Sequence, residues 1–115
     1  MSEQRIASLA ELSGGNAIVF TYKQDGIRRE GFALLANGKI VCYENLCRHL
    51  PVKLDSGSRH FLTKSGCHIL CQSHGALYQL ETGFCERGPC AGASLIALPY
   101  CVKQEIVYLL IEDQI

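Results

Sequence analysis

Two short segments constrain this chain more than any other feature. Cys47-Arg48-His49 and Cys71-Gln72-Ser73-His74 each place one thiol and one imidazole within a few residues, and residues 50–70 separate them. Two loops presenting such pairs toward each other supply two sulfur and two nitrogen donors. That set suits a tetrahedral zinc ion or a two-iron cluster. The expected spacings differ. A structural zinc site usually takes two like ligands from one hairpin, as Cys-x₂₋₄-Cys and His-x₃₋₅-His. Here each segment is mixed, and only Arg48 stands between Cys47 and His49. Mixing of this kind is expected where each loop gives its cysteine to one iron and its histidine to the other.

The cysteine count agrees with ligand use. Seven cysteines in a chain whose first residues (Met1-Ser2-Glu3-Gln4-Arg5) are polar and show no export leader argue against a disulfide framework. No apolar run approaches the ~18–20 residues needed to cross a bilayer, so the expectation is a soluble, cytoplasmic protein with no membrane span. Eleven basic residues balance eleven acidic ones. A protein that binds nucleic acid by neutralising phosphates is normally basic, so no nucleic-acid partner is expected. With 115 residues, 48% hydrophobic and 19% charged, the chain fits one domain with an ordinary core, and a single domain over residues 1–115 is expected.

Between the turn signals the hydrophobic pattern has a period of two. Residues 17–22, 27–36, 39–43, 69–71, 77–80, 95–102 and 106–111 are short and rich in β-branched or aromatic residues, which predicts strands. Asp25-Gly26 and Asn37-Gly38 predict two-residue hairpin turns, because these residues tolerate positive φ. Glu81-Thr82-Gly83 predicts another turn. Ser8-Leu9-Ala10-Glu11 has capping-box form, and Gly14-Gly15 ends the helix it opens within about a turn. Residues 45–66 and 86–94 read as loops. The class is all-β with antiparallel strands and minimal helix.

Cys-x-His followed by Cys-x-x-His-Gly resembles the signature of the Rieske [2Fe–2S] proteins. The likeness extends to Gly75 after the second histidine, the aromatic Tyr78, the turn Thr82-Gly83, the proline loop Gly88-Pro89, and Leu54 as the apolar anchor of the first loop. It spans roughly residues 44–98. The resemblance implies an antiparallel β-sandwich with an inserted cluster-binding subdomain at about residues 44–94. It also implies one [2Fe–2S] cluster, with Cys47 and Cys71 on one iron and His49 and His74 on the other. Departures from the family pattern are a longer spacer between the two pairs, Pro51 where glycine is common, and Gln72 where proline is common.

The resemblance also bears on the reduction potential, whose family range is about −150 to +300 mV. High-potential members carry a disulfide between the ligand loops, and the equivalent positions here are Val52 and Ser73. They also place a serine hydroxyl against a bridging sulfide, where Ala76 stands. Tyr78 keeps the phenol that donates to a cysteine sulfur. Hydrogen bonds to sulfur favour the reduced, more negative cluster. One donor kept and one absent imply a value nearer ~−150 mV than +300 mV.

The remaining residues have simpler readings. Cys42 and Cys101 read as core. Cys67 lacks a following His-Gly. Cys85 and Cys90 read as small apolar residues near the proline loop or as a redox pair. His60 and His68 read as surface residues, and Arg48 as a solvated side chain or a contact for an acidic partner. No catalytic residue is assigned. The mononuclear iron site of Rieske oxygenases needs a separate large domain, so the expected role is one-electron transfer. The carrier would take electrons from a flavin-dependent NAD(P)H reductase and pass them to an oxygenase or related terminal enzyme. It would dock briefly through Leu50, Pro51 and Pro89 over less than ~1,200 Å². Two alternatives stand beside it: the small subunit of an NAD(P)H-dependent nitrite reductase-like complex, and a zinc-stabilised interaction module.

Overall fold

Turn chemistry decides how the strands pair. In the computed structural model, which describes residues 2–13, 17–47, 53–55, 61–72 and 75–111, Asp25 (φ 53°) and Gly26 (φ 73°) join β2 (Ile18–Gln24) to β3 (Ile27–Ala36). Asn37 (φ 53°) and Gly38 (φ 80°) join β3 to β4 (Lys39–Glu44). Both central residues of each turn have positive φ, the geometry whose twist matches that of the flanking strands. The antiparallel sheet β2-β3-β4 results.

A second sheet forms from the two ends of the chain. β1 (Ser2–Ser8) pairs antiparallel with β9 (Ile106–Ile111), which also pairs with β8 (Tyr100–Lys103). The β1 register shifts between Arg5 and Ala7. A bulge there turns the neighbours Ile6 and Ala7 both inward, and both are buried. The following helix α1 (Leu9–Ser13) opens on the expected capping box. The Ser8 amide donates to Glu11 Oε1 at 3.0 Å, and the Glu11 amide donates to Ser8 Oγ at 3.1 Å.

The chain divides into two compact units, Met1–Glu44 with Leu98–Ile115, and Asn45–Ala97. In the first, Ile6, Ala7, Leu12, Phe20, Tyr22, Ala33, Cys42, Val107 and Leu109 form one buried cluster. They come from both sheets and from α1, so this unit is a β-sandwich. Phe20 and Tyr22 alternate with the exposed Thr21 and Lys23, as a half-buried strand requires. In the second unit, β5 (His68–Leu70), β6 (Leu77–Gln79) and β7 (Cys85–Arg87) make a small antiparallel sheet. Among the described residues no helix is long and apolar enough to cross a membrane.

Four sequence expectations need correction. β1 carries no two-residue hydrophobic signal, because SEQRIAS is largely polar and its pairing partner lies at the far end of the chain. β7 lies at the edge of the expected loop 86–94, held by pairing to β6. The strand expected over 95–102 begins only at Tyr100 and runs on to Lys103. Pro99, which has no amide hydrogen to donate, precedes it, while its carbonyl accepts from the Leu110 amide at 3.0 Å. Cys101 is half-buried rather than core, whereas Cys42 is buried as expected.

Candidate metal centre

The second unit holds both cysteines of the motif. Cys47 follows β4 by three residues and Cys71 follows β5 by one, so each leaves a strand into a loop. Both are buried and neither is in a disulfide. His49 and His74 lie outside the described residues, as do Arg48, Leu50, Pro51, Val52, His60 and Ser73. Among the described residues no three His, Cys, Asp or Glu side chains converge on a metal-sized site.

Backbone hydrogen bonds shape the second loop. The Cys71 carbonyl accepts from the Gly75 amide at 2.9 Å, and the Cys71 amide donates to the Ala76 carbonyl at 2.9 Å. These bonds hold Gly75 and Ala76 against Cys71. Gly75 has a positive φ (72°), a conformation that glycine adopts without strain. Asn45 organises the first loop. Its Oδ1 accepts from the Leu54 amide at 2.8 Å and its Nδ2 donates to Asp55 Oδ1 at 3.1 Å. The Leu54 carbonyl then accepts from the Gln72 amide at 2.7 Å. That one bond ties the loop after Cys47 to the loop after Cys71. Leu54 is fully buried, in keeping with its role as an anchor. Asn45 and Asp55 are buried too and were not singled out by sequence. A polar pair inside a loop carries no signal that separates it from solvated neighbours.

The proline loop closes against the second loop. A Cβ at Gly88 (φ 105°) would lie 2.7 Å from Ala76 Cα, so only glycine fits this approach. Pro89 is exposed and Ala76 is fully buried. Tyr78 on β6 is fully buried, with its hydroxyl 3.6 Å from Cys47 Sγ and 3.0 Å from Cys90 Sγ. Cys90 Sγ in turn lies 3.3 Å from Cys85 Sγ. Burial, then the hydrogen bond with Cys90, pushes the Cys85 thiol up. The expected turn at Glu81-Thr82-Gly83 is present, closed by the Gly83 amide on the Gln79 carbonyl at 2.9 Å. His68 is at the surface as expected, with Nε2 2.9 Å from Glu86 Oε2. The Gln79 amide donating to Glu86, and then His68, hold the Glu86 carboxyl below its ordinary range. Cys67 is exposed.

Comparison with known proteins matches residues 3–104 to the model of the Rieske [2Fe-2S] domain family. The chain belongs to the Rieske [2Fe-2S] family. Its fold is similar to that of the ferredoxin of carbazole 1,9a-dioxygenase from Nocardioides aromaticivorans IC177. The TM-score is 0.69 at 20% identity, covering 97% of this chain and 100% of that one. It is also similar to a chain in the complex of reduced oxygenase and oxidised ferredoxin in carbazole 1,9a-dioxygenase, with a TM-score of 0.71 at 20% identity and coverage of 98% and 96%. The terminal oxygenase of carbazole 1,9a-dioxygenase from Novosphingobium sp. KA1 matches with a TM-score of 0.70 at 21% identity, over 97% of this chain and 30% of that one. No curated protein sequence matches the chain.

Rieske domains bind one [2Fe–2S] cluster. The residues present fit that group. Two buried thiols, neither in a disulfide, stand at the starts of two loops that a backbone hydrogen bond ties together, and a phenol lies beside one of them. Thiolates are the ligand class that iron–sulfur clusters take.

Proposed function

We propose that this protein is a one-electron carrier of an oxygenase system. It would receive electrons from a flavin-dependent NAD(P)H reductase and deliver them to a terminal oxygenase or related enzyme. Cys47 and Cys71 would hold one iron, and His49 and His74 the other. When bound, the cluster supplies reversible one-electron chemistry. The protein's own residues exclude water, direct hydrogen bonds and fix the loops. Cys47 and Cys71 are only 2% and 0% exposed, so their iron would sit away from solvent. Leu54 and Asn45 hold the first loop on the second, and Gly88 lets the proline loop cover Ala76. Tyr78 places its hydroxyl 3.6 Å from Cys47 Sγ.

The observation that carries this reading is the pair of buried, unbridged cysteines at the starts of two hydrogen-bonded loops in a Rieske-family chain. Similarity to the ferredoxin of carbazole 1,9a-dioxygenase and to a chain of an oxygenase–ferredoxin complex of carbazole 1,9a-dioxygenase supports the oxygenase pathway. The test is anaerobic purification followed by electron transfer. The expected product is red-brown, bleaches with dithionite and contains about two irons and two acid-labile sulfides per chain. A flavoprotein reductase with NAD(P)H should reduce it by one electron, and a Rieske oxygenase component should reoxidise it. One zinc and no sulfide would overturn the cluster assignment. A loaded protein that exchanges no electron with either component would overturn the carrier role.

A further inference from the structure

Beside the proline loop two further sulfurs, Cys85 and Cys90, form a hydrogen-bonded chain that reaches Tyr78. The Cys85 amide donates to the Ala93 carbonyl at 2.8 Å, and the Cys85 carbonyl accepts from the Gly92 amide at 3.0 Å. Residues 86–91 must therefore loop out and return, and Cys90 comes back against Cys85. The hydrogen bonds that follow have one sense. A carbonyl oxygen can only accept, so the Cys85 S–H points at the Arg87 carbonyl, 3.2 Å away. With that proton committed, Cys85 Sγ is the acceptor for the Cys90 S–H at 3.3 Å. Cys90 Sγ is then the acceptor for the Tyr78 hydroxyl at 3.0 Å. Tyr78 has one hydroxyl proton, and Cys47 Sγ, at 3.6 Å, is the more distant of the two sulfurs.

We propose that Cys90 is a tuning residue. It draws the Tyr78 proton away from Cys47 and thereby holds the reduction potential of the site down. The inference rests on the assignment of Cys47 as a cluster ligand. A hydrogen bond to a ligand sulfur stabilises the reduced state and raises the potential, so withdrawing the donor lowers it. Cys85 sets the orientation of Cys90 and acts only through it.

The test is a redox titration of the purified holoprotein, followed by visible absorption, for the wild type, Cys90→Ala, Tyr78→Phe and the double variant. Cys90→Ala frees the phenol to donate to Cys47. The expected result is an upward shift equal to about a tenfold change in the ratio of reduced to oxidised cluster at fixed ambient potential, about 59 mV for one electron. In the Tyr78→Phe background the same substitution should give no shift. Cys85→Ala releases the Cys90 S–H to turn toward Tyr78 and should raise the potential as well. It carries the test should Cys90→Ala fail to assemble a cluster. No rise in the single variant that loads, or an equal rise with and without the Tyr78 hydroxyl, would overturn the proposal. A wild-type protein with no two-iron cluster would instead overturn the ligand assignment, so the two failures are distinguishable.

Discussion

Gly88 shows how far one atom decides the site. Its φ of 105° is disfavoured for any residue with a side chain, and a Cβ would meet Ala76 Cα at 2.7 Å. Backbone cannot yield as the end of a flexible side chain can. Gly88→Ala is therefore expected to destabilise the protein by about 2–4 kcal/mol, combining backbone strain with overpacking. Urea unfolding of the loaded protein checks this, and the variant should also retain less iron. At this scale, what could be read from sequence was the chemistry-bearing residues. A thiol and an imidazole separated by Arg48 have few other uses, and Gly88-Pro89 marks a tight loop. Asn45 and Asp55 could not be found, because burial gives them their role and burial is a property of the fold. Cys90 stands out in the sequence beside the proline loop, but its hydrogen bond with Tyr78 depends on a loop returning across residues 86–91.

The three hairpins with two-residue positive-φ turns separate readable from unreadable elements. Asp25-Gly26 and Asn37-Gly38 announce their turns because the residue types match the positive φ they adopt. Gln104 (φ 50°) and Glu105 (φ 66°) adopt the same geometry between β8 and β9 without matching it. No sequence rule would put a turn there. Pairing of β8 with β9, and the Glu105 carbonyl accepting from the Leu9 amide at 2.9 Å, hold the strained backbone in place. The double substitution Gln104→Asn, Glu105→Gly keeps both backbone roles and relieves the strain. It should stabilise the protein by about 1–2 kcal/mol, read as a higher denaturation midpoint. An unchanged or lower midpoint would contradict the turn geometry. The cap on α1 was readable for the opposite reason: Ser8 and Glu11 satisfy each other's amides within four residues, with no help from the rest of the fold.

For the whole molecule, the core of the sandwich sets the response to alkali. Burial pushes Cys42 from 9.0 to about 12, and burial followed by the Glu44 carboxylate pushes Tyr22 from 10.0 to about 12. Both groups are neutral when protonated, and the unfolded chain gives up their protons at lower pH. Their contribution to stability is therefore complete below about pH 9 and is lost as pH rises from there toward 12. The denaturation midpoint should be level between about pH 7 and 8.5 and then fall, and Cys42→Ala should make the fall shallower. A midpoint level to pH 11 would contradict this account of the core. The class and family of the molecule were readable, because two-residue periodicity and a spaced donor pattern are local. The pairing of β1 with β9 was not, since it joins opposite ends of the chain and half of it is polar.

The central claim is that two imidazoles and two thiolates share a pair of irons. The most direct test is nitrogen hyperfine coupling in the electron spin spectrum of the dithionite-reduced wild type, with its four histidines labelled with ¹⁵N. Two strongly coupled imidazole nitrogens are expected, one of them disappearing when His74 is replaced by cysteine. A reduced two-iron spectrum with no strong histidine coupling would contradict the account.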